Sequence, residues 1–238
     1  MKSRQLFDPE SSTYSYLVWD TQSREAALID PVQGQLNRDI TLIRELDLKL
    51  RYTLETHVHA DHVTGSGTLR QTFNSIVMVH ENSRTKCADV LIKSGDFIPL
   101  GTNRIHVLYT PGHTDSDVCY LIPGVVFTGD SLLIRGCGRT DFQSGDAGTL
   151  YDSITQQLFT LPDDTIIYPG HDYEGHSFSS IIEERLHNPR IGNNKSRDEF
   201  IEIMNSLKLP PPRRIHEALP SNLHCGVQGM DLAYSPNF

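Results

Sequence analysis

Cysteine is scarce in this chain: Cys87, Cys119, Cys137 and Cys225 are the only four in 238 residues, and no C-x-x-C pair occurs. That scatter rules out the dense framework that staples small secreted domains. It fits reduced thiols in a reducing compartment, so no structural disulfide is expected. Long apolar runs are also missing. Stretches such as Gly124-Val125-Val126-Phe127 fall far short of the roughly 20 residues that cross a bilayer, so no segment is expected to span a membrane. Basic clusters are absent beyond Arg213-Arg214, and the formal net charge is −9. With no positive field to attract phosphates, nucleic acid is not expected as a partner. The first residues, Met1 to Asp8, reach an acid early and show neither an apolar signal core nor an Arg/Ser-rich transit pattern, so a cytoplasmic location is expected. No fixed-period repeat or low-complexity tract supports a solenoid or propeller.

What is present is an ordinary globular composition, 37% hydrophobic and 21% charged, with length enough to bury a sizeable core. Alternating or compact apolar stretches predict strands at Tyr14–Trp19, Glu25–Ile29, Leu50–Leu54, Ile76–Val79, Ile105–Tyr109, Val118–Ile122, Val125–Thr128 and Thr165–Tyr168. Helical spacing appears in Ile40, Ile43 and Leu46, in Leu150, Ile154 and Leu158, and over Ser177–Leu186 and Asp198–Leu207. After the last of these, Pro210-Pro211-Pro212 bars helix continuation. The class is mixed α/β. A single domain is expected, with residues 1–175 as the core that holds the site and 176–238 as a short helical C-terminal appendage.

The strand ending at Leu54 runs into Thr56-His57-Val58-His59-Ala60-Asp61-His62, followed by Gly65-Ser66-Gly67. Imidazole nitrogen and carboxylate oxygen are the donors that borderline divalent metals prefer. Three more pieces follow in order: Pro111-Gly112-His113, Thr128-Gly129-Asp130 and Pro169-Gly170-His171. Each sets a ligand type beside a glycine, which lets the backbone turn sharply at a strand end. One such pair alone would be an ordinary surface or hydrogen-bonded residue; four in concert point to one metal site. His80, His106, His176, His187, His216 and His224 have no such company.

This H-x-H-x-D-H loop with its later His, Asp and His resembles the metallo-β-lactamase superfamily, in its glyoxalase II and persulfide dioxygenase branch, over nearly the whole chain. The resemblance implies a four-layer αββα sandwich with the metal at one edge. The ligand residues alone fit two readings. Two ions could be held, by His57, His59 and His113 and by Asp61, His62 and His171, with Asp130 bridging; that suits hydrolysis of S-lactoylglutathione. Alternatively His57, His113 and Asp130 form the two-histidine, one-carboxylate triad of non-haem Fe(II) oxygenases.

The flanks decide between the two. Ile134-Arg135-Gly136-Cys137-Gly138-Arg139-Thr140-Asp141-Phe142-Gln143, His187-Asn188-Pro189-Arg190 and Cys225-Gly226-Val227-Gln228 resemble the persulfide dioxygenases. What this implies is one Fe(II) per chain, with glutathione persulfide oxidised by O2 and water to sulfite and glutathione. His59, Asp61, His62 and His171, joined by Asp141, would then orient the ligands without binding metal. Tyr173 would offer a hydroxyl to the reacting end of the substrate, and Arg190 and Arg139 would hold its glutathione carboxylates. Neither Cys137 nor Cys225 need be a nucleophile. A homodimer is a further expectation from the resemblance, although the sequence maps no surface for it. A non-catalytic metal or persulfide sensor is the remaining alternative, for which no partner-binding segment is visible.

Overall fold

The computed structural model describes residues 1–212 and 214–227. Arg213 of the basic pair and Gln228 of the Cys225–Gln228 motif lie outside the described residues. Six strands, β1 (Lys2–Asp8), β2 (Thr13–Trp19), β3 (Glu25–Ile29), β4 (Lys49–Leu54), β5 (Ile76–His80) and β6 (Val90–Ile92), form one sheet in chain order. The other sheet holds β7 (Phe97–Leu100), β8 (Asn103–Tyr109), β9 (Val118–Ile122), β10 (Val125–Gly129), β11 (Ile166–Pro169) and β12 (Ser179–Ser180), also in sequence order. The helices are α1 (Leu36–Glu45), α2 (Ser66–Phe73), α3 (Ala147–Ser153), α4 (Ile181–His187), α5 (Arg197–Ser206) and α6 (Ile215–Asn222). Among the described residues no helix is long and apolar enough to cross a membrane.

The alternation of side chains along a strand builds the layers. Tyr14, Tyr16 and Val18 of β2 point inward, to a core shared with Ile105, Val107, Tyr120 and Phe127 of the facing sheet. Leu17 and Trp19, from the other face of the same strand, meet Ile43 of α1 and Leu69 of α2. On the far side, Cys119 and Val126 pack with Leu150 of α3, Ile181 of α4 and Phe200 of α5. Each fully buried large apolar side chain contributes roughly 1.5–3 kcal/mol. The result is the expected αββα sandwich, and residues beyond 175 share its core through Ile181, Ile191, Phe200 and Met204.

Two expectations need correction. Ser177 does not begin a helix: Ser179 and Ser180 pair with β11, and the Ser180 hydroxyl caps α4 by accepting from Glu183 N. Cys87 and Cys225 are joined by a disulfide across 138 positions, contrary to the four free thiols that their scatter suggested. The fold brings α6 and its following turn beside the loop after β5, a proximity that sequence spacing does not reveal. Cys119 and Cys137 are free and buried, and burial pushes their thiols up to about 12 and about 11. In the folded protein neither should react with iodoacetamide at neutral pH. Unfolding without reductant should expose those two thiols, and reduction all four, as counted by intact mass. Four thiols before reduction would remove the disulfide.

Candidate metal centre

The strand ends converge at one edge of the sandwich. The loop after β4 brings His57, His59, Asp61 and His62. His113 follows β8, Asp130 follows β10 and His171 follows β11. The two sheets are laced together here, with Tyr14 N donating to Gly170 O at 2.8 Å and Thr13 bridging to His171. Gly129 has φ +48°, and a Cβ there would stand 2.5 Å from Thr56 Oγ1. Only glycine lets β10 turn this closely past the histidine loop.

Ligand atoms of His57, His113 and Asp130 gather within 4.8 Å of one another, and a second group forms from His59, Asp61 and His62. Every imidazole is fixed through its other nitrogen. Thr56 Oγ1 donates to Asp30 at 2.8 Å, so it accepts from His57 Nδ1 at 3.0 Å. His113 Nδ1 donates to the Arg139 carbonyl at 2.7 Å and His171 Nδ1 to the Ser12 carbonyl at 3.1 Å. His62 Nδ1 pairs with Asp61 at 2.9 Å, and His59 Nε2 with Asp30 at 3.1 Å. These partners fix the orientation of each ring and turn its opposite nitrogen inward. His113 Nε2 and His171 Nε2 each stand 3.6 Å from an Asp130 oxygen.

The inward atoms fit a cation. Asp130 Oδ1, His59 Nδ1 and His62 Nε2 are buried without a hydrogen-bond partner among the described residues, which is costly unless something else binds them. Burial, helped by His59 and His113, holds the His57 pKa well below its ordinary value, so its lone pair is free. At His59 burial pulls the same way, but Asp30 and Glu55 outweigh it and raise the pKa. Asp61 receives Thr13 Oγ1 at 3.0 Å in addition to His62. Its carboxylate is therefore partly committed within the protein.

The remaining expected residues lie around this cluster. Tyr173 is 74% exposed, with its ring parallel to His171 at 5.9 Å. Beside it opens a cavity of about 410 Å³ lined by Gln5, Phe7, Ser12, Tyr14, Tyr173 and Ser177. Arg190 Nη1 donates to the Cys137 carbonyl at 2.6 Å. Arg139 pairs with the exposed Asp141 at 2.7 and 2.8 Å and reaches the Leu209 and Pro210 carbonyls. Both arginines thus brace the 137–141 loop, whose Arg139 carbonyl orients His113.

Three supporting residues escaped the sequence reading. Asp30 and Glu55 each directly follow a strand, the same signal that marked Asp130, but neither carries a glycine or histidine beside it. Asn222 supports the loop from α6, and no local pattern announces it.

Fold and ligand set together define a class: the chain belongs to the metallo-beta-lactamase superfamily, whose family model matches residues 8–171. Within it, the chain is 48% identical over 227 residues to the Homo sapiens protein "Persulfide dioxygenase ETHE1, mitochondrial", covering 94% of this chain and 89% of that one. The crystal structure of ETHE1 from Myxococcus xanthus superposes with a TM-score of 0.93 at 53% identity, covering 95% of this chain and all of that one. A Schizosaccharomyces pombe protein named probable hydroxyacylglutathione hydrolase glo2 is 33% identical over 72% of this chain and 69% of its own length.

Proposed function

We propose that this chain is a persulfide dioxygenase that oxidises glutathione persulfide with O2 and water to sulfite and glutathione, using one Fe(II) held by His57, His113 and Asp130. The observation that carries this reading is the 48% identity to persulfide dioxygenase across 94% of the chain, with the triad atoms gathered within 4.8 Å. The thioester hydrolase relative is more distant and matches less of the chain. Iron would supply the redox activation of O2, which protein side chains do not offer.

In this reading the chain's own residues bind and orient. His57 and His113 are held in orientation by Thr56 and the Arg139 carbonyl. The persulfide end enters past Tyr173. Its exposed phenol carries its proton at physiological pH and can donate to the substrate sulfur. Phe7 and Tyr14 wall the adjoining cavity. Arg190 commits Nη1 to Cys137 among the described residues, and its other N–H groups are assigned to a glutathione carboxylate; Arg139, engaged by Asp141 and the Leu209 and Pro210 carbonyls, holds the loop from its other end. Asp61, His62 and His171 orient their neighbours without holding metal. We also place the chain in the cytoplasm, as a homodimer.

The test is oxygen uptake by Fe(II)-loaded protein given glutathione persulfide, with sulfite measured in the same vessel and S-lactoylglutathione as the parallel substrate. Uptake matched by sulfite is expected. One observation favours a second reading, a binuclear hydrolase: His59 Nδ1 and His62 Nε2 are buried and have no partner among the described residues. Two tightly held ions per chain, with thioester hydrolysis and no oxygen uptake, would establish it instead.

A further inference from the structure

The turn after α6 forms the underside of the histidine loop. The buried Asn222 side chain donates to the carbonyls of His59 and His62, both at 2.8 Å, and accepts from Thr64 N at 2.8 Å. Gly67 N donates to the Cys225 carbonyl at 3.0 Å, and Gln33 Nε2 to the Gly226 carbonyl at 3.1 Å. Gly226, at φ +74°, lies so close to the loop that a Cβ would meet the Thr64 carbonyl at 2.0 Å. The His59, His62, Thr64 and Gly67 backbone groups contacted here lie in or just after the stretch that carries His57, His59, Asp61 and His62.

Besides those hydrogen bonds, the turn has few fastenings to the body of the protein among the described residues. Its apolar anchorage is a small satellite cluster, Cys225 with Val77 and Val79 and the half-buried Cys87 and Ala88. Lys86 N adds one bond, to Leu223 O at 2.9 Å. Cys87–Cys225 closes the connection covalently. In a reducing compartment a disulfide is characteristically a switching bond rather than a structural one.

We infer that Cys87–Cys225 is a thiol-reactive site, opened by low-molecular-weight thiols, that sets how firmly the histidine loop holds its metal. The half-buried Cys87 sulfur is the point of attack, since Cys225 is buried, and the exposed Lys86 beside it favours an anionic thiolate. The thiolate bonds to Cys87 Sγ, the S–S bond breaks, and its electron pair leaves on Cys225, which takes a proton. A second thiol attacks the mixed disulfide, freeing Cys87 and carrying away the two equivalents as the oxidised thiol dimer. The α6 turn then loses its covalent anchor to the loop after β5, and the support it gives the ligand backbone weakens.

The measurement is metal release. Protein loaded anaerobically with Co(II), either oxidised or reduced with glutathione and then desalted, is mixed with a chelator while the cobalt absorption is followed. Reduction should speed release by about tenfold, in the range expected when groups supporting a ligand are lost. Cys87→Ser, which keeps the buried Cys225, should release at the fast rate and ignore glutathione. Asn222→Ala should speed release with the disulfide intact. Equal rates for the oxidised and reduced wild type, with circular dichroism showing both folded, would overturn the inference. So would a Cys87→Ser protein that releases as slowly as oxidised wild type. No step depends on persulfide or O2, so the outcome is separate from that of the dioxygenase assay.

Discussion

Asp130→Ala yields a folded chain that has lost its metal. The carboxylate is the only anion in the His57, His113, Asp130 group, and its Oδ1 has no partner among the described residues. Its backbone does separate work, accepting from Gly138 N at 2.6 Å, and alanine keeps that bond. Deleting the side chain therefore removes no internal hydrogen bond from Oδ1, and metal-free variant and metal-free wild type should differ by less than about 1 kcal/mol in denaturant unfolding. Metal affinity should fall by at least about 100-fold, the upper end of what losing a mere supporting residue costs. Persulfide-dependent oxygen uptake should fall with the iron content. Full iron occupancy in the purified variant would show that Asp130 is not a ligand.

How much of the fold could be read in advance depended on where each element sits. Val118–Ile122 and Glu25–Ile29 were legible to the residue because they lie in sheet interiors and their apolar runs are nearly unbroken. β1 was not, since it is an edge strand whose Lys2, Arg4 and Gln5 face outward or partly so and whose alternation is diluted by charge. α2 offers only Leu69 and Phe73 as apolar anchors in eight residues, too few for a helical period. α6 carries Pro220 inside it, a residue that argues against a helix in sequence.

The site divides in the same way. His57, His113, Asp130 and His171 were legible because each is a ligand type placed by a glycine or a strand end. What holds them was not, because it comes from common residues far away in the chain: the carbonyls of Ser12 and Arg139, and the amide of Asn222. Backbone acceptors leave no mark in sequence. Nor does a disulfide between cysteines 138 positions apart, since connectivity follows from the fold and not from spacing.

Asp30 shows how much rests on that hidden support, and Asp30→Ala should be the most destabilising single change near the site. The residue is 1% exposed. It accepts from Thr56 N at 2.7 Å, Thr56 Oγ1 at 2.8 Å and His59 Nε2 at 3.1 Å. Alanine strands both Thr56 donors in a dry interior. Glu55 Oε2, 3.4 Å from His59 Nε2, can take over the imidazole, but Glu55 Oε1 already accepts from Thr64 Oγ1 and Ser66 Oγ. Removing one partner of a buried charged pair costs about 3–5 kcal/mol. Urea unfolding of the metal-free variant should show that loss as a lower midpoint with an unchanged slope. Asp30→Asn keeps one acceptor oxygen but turns an NH2 towards a donor, so it should fall between the two. The damage should also reach the metal, since Thr56 Oγ1, freed from Asp30, can rotate and release His57 Nδ1. If Asp30→Ala unfolds within about 1 kcal/mol of wild type and keeps its metal, the loop is held by the α6 turn and the neighbouring strands alone.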